Sequence, residues 1–445
     1  MSDKLSIIIL AAGKGTRMKS ALPKTLHKIA SFTMLDLVIK SAESLKADNI
    51  TIVISEEMGQ FTQEITKNHP HLKLSFAIQK ERLGTAHGVK IALQNNADIH
   101  NKIIVLYGDT PLITDKTLQN MSSSLDKNNL SILGFDCFEE NKYGRLVINN
   151  NKLERIVEFK DANEQEKQIT LCNSGVVGIK YNDVTALMNK IDNNNASQEF
   201  YLTDLVAIAI NENLNVDFIK ADSDEVLGVN SRIELNQAEE IKQNRIRKYL
   251  MENGVTLIDP KTNYFAADVK IENDVIIHPN VVIGKNTKIK NGAEIKSFSH
   301  VEGAQIAENV EIGPFARIRP GSKLENNVKI GNFVEVKKTK IAQGAKINHL
   351  SYIGDSNIGQ NTNIGAGTIT CNYDGYNKFT TNIGENVFIG SNNSLIAPVN
   401  IGNNSVVGAG SVVSKDVSDD ELAVSRSKQI NIKNGAIKYH KNKNK

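Results

Sequence analysis

From Ile271 to Val413 an aliphatic residue returns at nearly every sixth position, through Ile277, Ile283, Ile289, Ile295 and Val301 and on to Ile389, Leu395, Ile401 and Val407. This spacing matches neither the helical period nor the alternation of an ordinary strand. It is the hexapeptide signature of a parallel β-helix, in which three short strands close one triangular coil. Four places after most of these aliphatics stands a small or β-branched residue: Val275, Val281, Thr287, Ala293, Ala316, Ser322, Val328, Val334, Ala345 and Ser411. The place before is often Asn280, Asn286, Gly292, Asn327, Gly344, Asn361 or Asn404. Asn and Gly tolerate the positive φ of a tight corner. The aliphatic positions are therefore expected to fill the prism and the others to face outward. An excursion from Cys371 to Lys378 interrupts the register. A loop pushed out of a regular solenoid is a candidate functional element.

The remainder reads as α/β. Short apolar runs (Ser6–Leu10, Ile50–Ser55, Lys102–Leu106) alternate with helical segments (Thr33–Ala47, Thr85–Gln94, Thr203–Glu212), which predicts a mixed, mostly parallel, Rossmann-like sheet. The expected divisions are residues 1–228 for this domain, 229–253 for a charged connecting helix stopped by Gly254, and 254–445 for the β-helix with a basic tail that frays. A net charge of +3 is too small to argue for nucleic acid, and no apolar stretch reaches membrane-spanning length. Leu5–Ala12 superficially resembles a signal peptide but runs straight into Gly13-Lys14-Gly15-Thr16-Arg17, so a buried first strand is expected. The three cysteines form no C-x-x-C pair, which suits a reducing, cytoplasmic setting.

Two constellations carry chemistry. After the first strand, Gly13 and Gly15 let backbone N–H groups close on phosphates while Lys14 and Arg17 add charge. The spacing is not that of a Walker A loop. Lys24 follows, Leu83-Gly84-Thr85 makes a second glycine turn before a helix, and Tyr107-Gly108-Asp109 ends an apolar strand. Asp109 is placed for a metal ion at a strand's carboxyl end, although a capping Asp is the competing reading of that residue alone.

In the β-helix, Arg319 follows Ile318 and Lys337 follows Val336, eighteen residues or one coil apart. They should stack about 4.8 Å from one another, a like-charge contact that a sugar phosphate would relieve. His349 lies two places after Ile347, hence outward, with Ala366, Ser391 and Ala409 continuing its column if the excursion adds nothing to the count. A neutral imidazole beside a groove of small residues suits proton removal from an amine attacking an extended acyl donor such as acetyl-CoA. His278 and His300 lie coils away, which disfavours a zinc site.

The run Leu10-Ala11-Ala12-Gly13-Lys14-Gly15-Thr16-Arg17-Met18 with Pro23-Lys24 resembles the sugar-phosphate nucleotidyltransferases. Gln79, Leu83-Gly84-Thr85, Tyr107-Gly108-Asp109, Tyr143-Gly144-Arg145, Ile156-Val157-Glu158, Asn173-Ser174-Gly175 and Gly228-Val229-Asn230, together with the hexads, narrow the match. The chain resembles the bacterial bifunctional enzymes that are both N-acetylglucosamine-1-phosphate uridylyltransferase and glucosamine-1-phosphate N-acetyltransferase. The resemblance implies that Leu10, Ala11, Gly13, Arg17, Lys24, Gln79, Gly84 and Thr85 serve UTP, and that Asp109 and Asn230 hold Mg²⁺. It implies that Gly144, Glu158 and Asn173 grip N-acetylglucosamine with Tyr107 beside it, and that Gly108 belongs to the same uridylyl site. It further implies His349 as the acetyl-transfer base with Glu335 as its polarising neighbour, and Arg319, Lys337, Tyr352, Asn363 and Lys378 on glucosamine 1-phosphate. Ala366, Asn372, Tyr373, Ser391, Ala409 and Arg426 would contact acetyl-CoA. A cytoplasmic homotrimer supplying UDP-N-acetylglucosamine for peptidoglycan, and for lipopolysaccharide in a Gram-negative host, is the implied setting. Ser174 stands where a Thr is expected, and Arg82 and Phe159 read as local variations without consequence. The alternative is a single-activity nucleotidyltransferase whose β-helix regulates or assembles. A lone acyltransferase with a degenerate first domain is opposed by intact Gly13, Gly15, Arg17, Lys24 and Asp109.

Overall fold

The computed structural model describes residues 4–96, 98–138, 141–150 and 152–441. Two compact units divide between Asn244 and Arg245. That division falls inside the helix Arg232–Glu252, close to the connecting helix expected from the charge pattern.

In the first unit the central strands Leu5–Leu10, Asn49–Ile54, Leu74–Ile78 and Lys102–Tyr107 are parallel neighbours. Leu171–Lys180 runs antiparallel between Lys102–Tyr107 and Leu130–Asp136, and Val216–Ala221 adds a parallel edge. A hairpin of Arg145–Asn149 and Lys152–Val157 joins on. The sheet is mixed and mostly parallel, as its near-continuous apolar strands require of a sheet covered on both faces. Helices Met34–Glu43, Thr85–Asn95 and Leu205–Asn211 overlap the segments expected from periodicity. Strands Leu5–Leu10 and Lys102–Tyr107 deliver their carboxyl ends, and the glycine turns beyond them, to one edge of the sheet.

The second unit is a left-handed parallel β-helix. Its sheets hold ten, nine and eight strands, each pairing with the strand one coil away. The hexad aliphatics are buried, from Ile277 at 0% exposure to Val413 at 5%, with Ile271 packed against them more loosely. The small residues four places on are buried as well. Asn280, Asn286, Gly292, Asn327, Gly344, Asn361 and Asn404 all have positive φ at corners. Three aromatic residues share that conformation: Phe298, Phe315 and Phe333 stack with ring centroids 4.9 and 5.2 Å apart. Left-handed φ costs a β-carbon-bearing residue about 1 kcal/mol or more, so these aromatics are an exposed exception to the corner rule. The ladder extends past Val417, because Leu422–Ala423 pairs with Val406–Val407. The tail is not wholly frayed: Gly435–Lys441 forms a short helix, while residues 442–445 lie outside the described ones. Among the described residues no helix is long and apolar enough to cross a membrane.

Candidate functional sites

The glycine turn after the first strand is shaped around Lys24. Gly15 adopts φ 61°, and a β-carbon there would stand 2.6 Å from Cβ of Lys24, so neither the conformation nor the space admits a side chain. Lys24 is 9% exposed and opens the 3-10 turn Lys24–Leu26. Its Nζ donates to Asp109 and, at 2.9 Å, to Oδ1 of Asn230. The Asp109 carbonyl accepts the Val229 N–H at 2.9 Å, which draws the Gly228-Val229-Asn230 segment to the same point. Among the described residues no group of three or more His, Cys, Asp and Glu gathers for a metal. The Asp109 carboxylate and the Asn230 amide oxygen, converging where Lys24 now stands, are a donor set that fits a hard divalent cation.

A cavity of about 270 Å³ beside this cluster is lined by Leu10, Ala11, Gly13, Lys24, Gln79, Gly84, Thr85, Tyr107 and Asp109. Gln79 is buried and donates to the Gly84 carbonyl at 3.3 Å. Gly84 has φ 109°, with the Phe200 carbonyl 2.5 Å from where a β-carbon would sit. Thr85 Oγ1 accepts the Leu202 N–H at 3.0 Å, and Gly108 N–H donates to the Leu10 carbonyl at 2.9 Å. The residues expected on the sugar side meet nearby. Gly144 O accepts the Asn173 N–H at 2.8 Å, and Gly144 lies against Glu158. The Tyr107 ring covers Gly175, and burial holds its hydroxyl well above the ordinary range. Burial likewise raises the Glu158 carboxyl, whose Oε1 accepts from the Thr203 hydroxyl at 3.0 Å. Burial raises Asp204 to about 6, helped by Asp192, Glu158 and Asp161.

Arg17 departs from the rest. It is exposed and lines a neighbouring hollow of about 950 Å³ with Tyr143, Gly228 and Asn230 rather than the Lys24 cavity. Arg82, passed over in the sequence, stands in the cavity wall, where Nε donates to the Ala12 carbonyl at 2.8 Å and Nη2 pairs with Glu57 at 3.1 Å. Phe159 lies beneath the cations of Arg145 and Lys167. Neither role has a signature readable from one sequence: Arg82 bonds partners 70 and 25 residues away, and the Phe159 contacts depend on how its neighbouring segments pack.

In the β-helix the pairing settles the columns. Ile318 opposes Val336, so Arg319 and Lys337 are consecutive on one edge of the nine-stranded sheet, with Tyr352 beside Glu335 on the same face. Their like charges need no external anion: Arg319 Nη1 lies 2.8 Å from Glu335 and Lys337 Nζ 3.7 Å from Asp355. That removes the like-charge argument for a phosphate, and it takes Glu335 as the partner of Arg319. His349 has a different neighbour. Its Nδ1 meets Oδ1 of Asn332, one coil earlier, at 2.8 Å. Sequence counting could have found Asn332, which occupies the His349 column. Gly354 gives Tyr352 room, because a β-carbon there would fall 2.5 Å from the Tyr352 hydroxyl.

The pairs Ile347–Ile364, Ile364–Ile389 and Ile389–Val407 carry the His349 column through Ala366, Ser391 and Ala409. Arg426 returns to it, Nη1 donating to the Ala409 carbonyl at 2.6 Å. Asn363 opposes Lys346, on the same sheet as His349 but at the opposite end of the strand. The excursion leaves the far corner of the nine-stranded sheet. There Asn372 is buried against Asp355 at 2.5 Å, and Tyr373 and Lys378 form a bridge at its neck, both exposed.

Comparison with known proteins agrees with both halves. Residues 7–157 match the MobA-like NTP transferase domain. Residues 268–303 and 303–338 match the bacterial transferase hexapeptide, and 380–415 the hexapeptide repeat of succinyl-transferase. Proteins described as bifunctional protein GlmU are similar throughout. That of Maricaulis maris is 50% identical across 99% of this chain and 97% of its own. Those of Zymomonas mobilis and Bartonella bacilliformis are 46% and 45% identical, over 99% and 98% of this chain and 98% of theirs. With identity of this order over nearly the whole chain, the chain belongs to the bifunctional GlmU family.

Proposed function

We propose that the chain makes UDP-N-acetylglucosamine by two transfers. The β-helix moves an acetyl group from acetyl-CoA to the amine of glucosamine 1-phosphate, and the first unit then joins the product to the uridylyl group of UTP with release of pyrophosphate. In the second step a phosphate oxygen of the sugar 1-phosphate attacks the α-phosphorus of UTP, and the bond to the leaving pyrophosphate breaks in line. No nucleophilic side chain is required, so the protein's work is charge placement and alignment. Asp109 and Asn230 are the residues to hold Mg²⁺, which supplies positive charge to the phosphates when bound. Lys24 adds a fixed ammonium at that point, Gln79, Gly84 and Thr85 line the nucleotide side, and Glu158 and Asn173 face the sugar.

For acetyl transfer, Oδ1 of Asn332 accepts a hydrogen bond from the Nδ1–H of His349, which leaves the Nε2 lone pair to take a proton from the attacking amine. The amine nitrogen bonds to the thioester carbonyl carbon, and the carbon–sulfur bond breaks as CoA departs. The Ala366–Ser391–Ala409 column offers a small-walled track for the CoA chain, while Arg319, Lys337 and Tyr352, which the family resemblance assigns to the sugar phosphate, would exchange the carboxylates of Glu335 and Asp355 for it. His349 is exposed, and Asn363 and the excursion lie away from its column. A neighbouring copy would close such an open site, as in the homotrimer that the hexapeptide repeats suggest.

The observation that carries this reading is the register by which His349, Asn332 and the small residues share one outward column. Purified protein given glucosamine 1-phosphate, acetyl-CoA, UTP and Mg²⁺, each omitted in turn, tests it. UDP-N-acetylglucosamine should form only in the complete mixture, and pyrophosphate release that is the same with and without acetyl-CoA, with no free CoA formed, would leave a single-activity nucleotidyltransferase.

A further inference from the structure

Lys24 and Asn230 meet across 206 residues of chain, and their contact does not by itself set where each backbone stands. Further bonds join the same two segments next door. The 3-10 turn that Lys24 opens is closed by the His27 N–H, which donates to the Lys24 carbonyl at 3.2 Å. His27 is 6% exposed, and its Nδ1 accepts from Nη1 of Arg232 at 3.1 Å. Arg232 is the first residue of the long helix Arg232–Glu252, two positions after Asn230. Farther along, Glu239 accepts the Ala30 N–H at 2.7 Å, and Glu234 accepts the N–H of Asn230 itself at 2.7 Å. The start of this helix therefore grips the segment after Lys24 at two points and Asn230 at a third.

We propose that the His27–Arg232 bond is a positioning latch that sets Lys24 against Asn230 for uridylyl transfer. It rests on the reading of Lys24, Asp109 and Asn230 as the metal and phosphate end of that site. A guanidinium is permanently charged and can only donate, so the imidazole must serve as a neutral acceptor. A protonated ring would set cation against cation. Burial first, and Arg232 second, lower the His27 pKa, in keeping with a neutral ring. Simple space filling would be served by a leucine, whereas the latch demands an acceptor where Nδ1 stands.

The test uses the full chain with His27→Leu, His27→Asn, Arg232→Met and the His27→Leu/Arg232→Met pair. His27→Leu and Arg232→Met should each lower kcat for uridylyl transfer about tenfold and raise the half-activating Mg²⁺ concentration several-fold, as a misplacement of catalytic groups would. The double variant should be no worse than either single one. His27→Asn, which puts a carboxamide oxygen near the Nδ1 position, should keep most of the activity, and acetyl transfer should stay unchanged throughout. Losses that add in the double variant, or a His27→Leu enzyme with ordinary kcat and Mg²⁺ dependence, would overturn the latch. Should His27→Leu not fold, Arg232→Met and His27→Asn decide the matter alone. Lys24→Ala separates the two failures: if it leaves uridylyl transfer intact the site reading falls, whereas its loss beside an unaffected Arg232→Met sinks only the latch.

Discussion

In the first unit Lys24 reaches partners 85 and 206 residues away, whereas in the β-helix His349 meets Asn332 at a separation of 17, one coil earlier. The first site is gathered from turns at the ends of several strands, each fixed by glycines that admit a close neighbour. The second is printed along a column, where each residue's place follows from counting hexads. A gathered site should be sensitive to any segment that shifts one contributor. A columnar site should be sensitive chiefly to what disturbs the register.

The strongest break of this comparison is a pair of substitutions. Lys24→Ala should lower uridylyl transfer by roughly 10²–10³-fold and leave acetyl transfer alone, and His349→Ala should do the reverse by roughly 10²–10⁴-fold. Separate assays of each half-reaction check this, and loss of both activities from either change would end the claim of independent sites.

Two glycines sharpen it next. Gly15→Ala forces a side chain onto Lys24 in a left-handed turn, and Gly331→Ala puts a β-carbon 1.9 Å from the Asn348 carbonyl one coil along. Each should reduce its own reaction about tenfold or more, and Gly331→Ala should also lower the thermal unfolding temperature because the coils must part. Unaltered kinetics in either would show that the close approach relaxes freely.

A smaller effect concerns Asn332. Asn332→Ala should cut acetyl transfer by about tenfold, and Asn332→Asp, by placing a carboxylate at Nδ1, should move the acid limb of the pH–rate profile upward. An unmoved limb would detach Asn332 from His349.

The smallest lies in Asp204. Its carboxyl is raised to about 6 from an ordinary 3.8, so the ionised form is disfavoured in the folded state. The stability tied to its proton is complete below about pH 4 and is lost as pH rises through about 6. Asp204→Asn should therefore stabilise the protein by roughly 1 kcal/mol at pH 7.5 and not at pH 4, after allowance for partial solvent screening. Equal unfolding curves at both pH values would refute it.

Much of the second unit is legible in the sequence. Six-residue spacing predicts which side chains turn inward and which corners need Asn or Gly, and the buried hexads and positive-φ corners follow it. Where counting stopped was the direction of flexible side chains. Glu335 is in reach of a neighbour on its own face and pairs with Arg319, while Asn332 takes His349. Lys337 faces Asp355, so cations expected to await an anion already have carboxylates beside them. In the first unit the glycine turns and Asp109 were visible as motifs. The placement of Arg17 in the adjoining hollow, the bracing by Arg82 and the His27–Arg232 contact were not.

By itself the sequence determined the two folds, because periodic burial of aliphatic side chains and strand-ending glycines are local, repeated signals read against water. Tertiary structure decided which polar atoms pair within each site. Those pairings join segments with no shared period, and their energies depend on the distance and burial that appear only once the chain has closed.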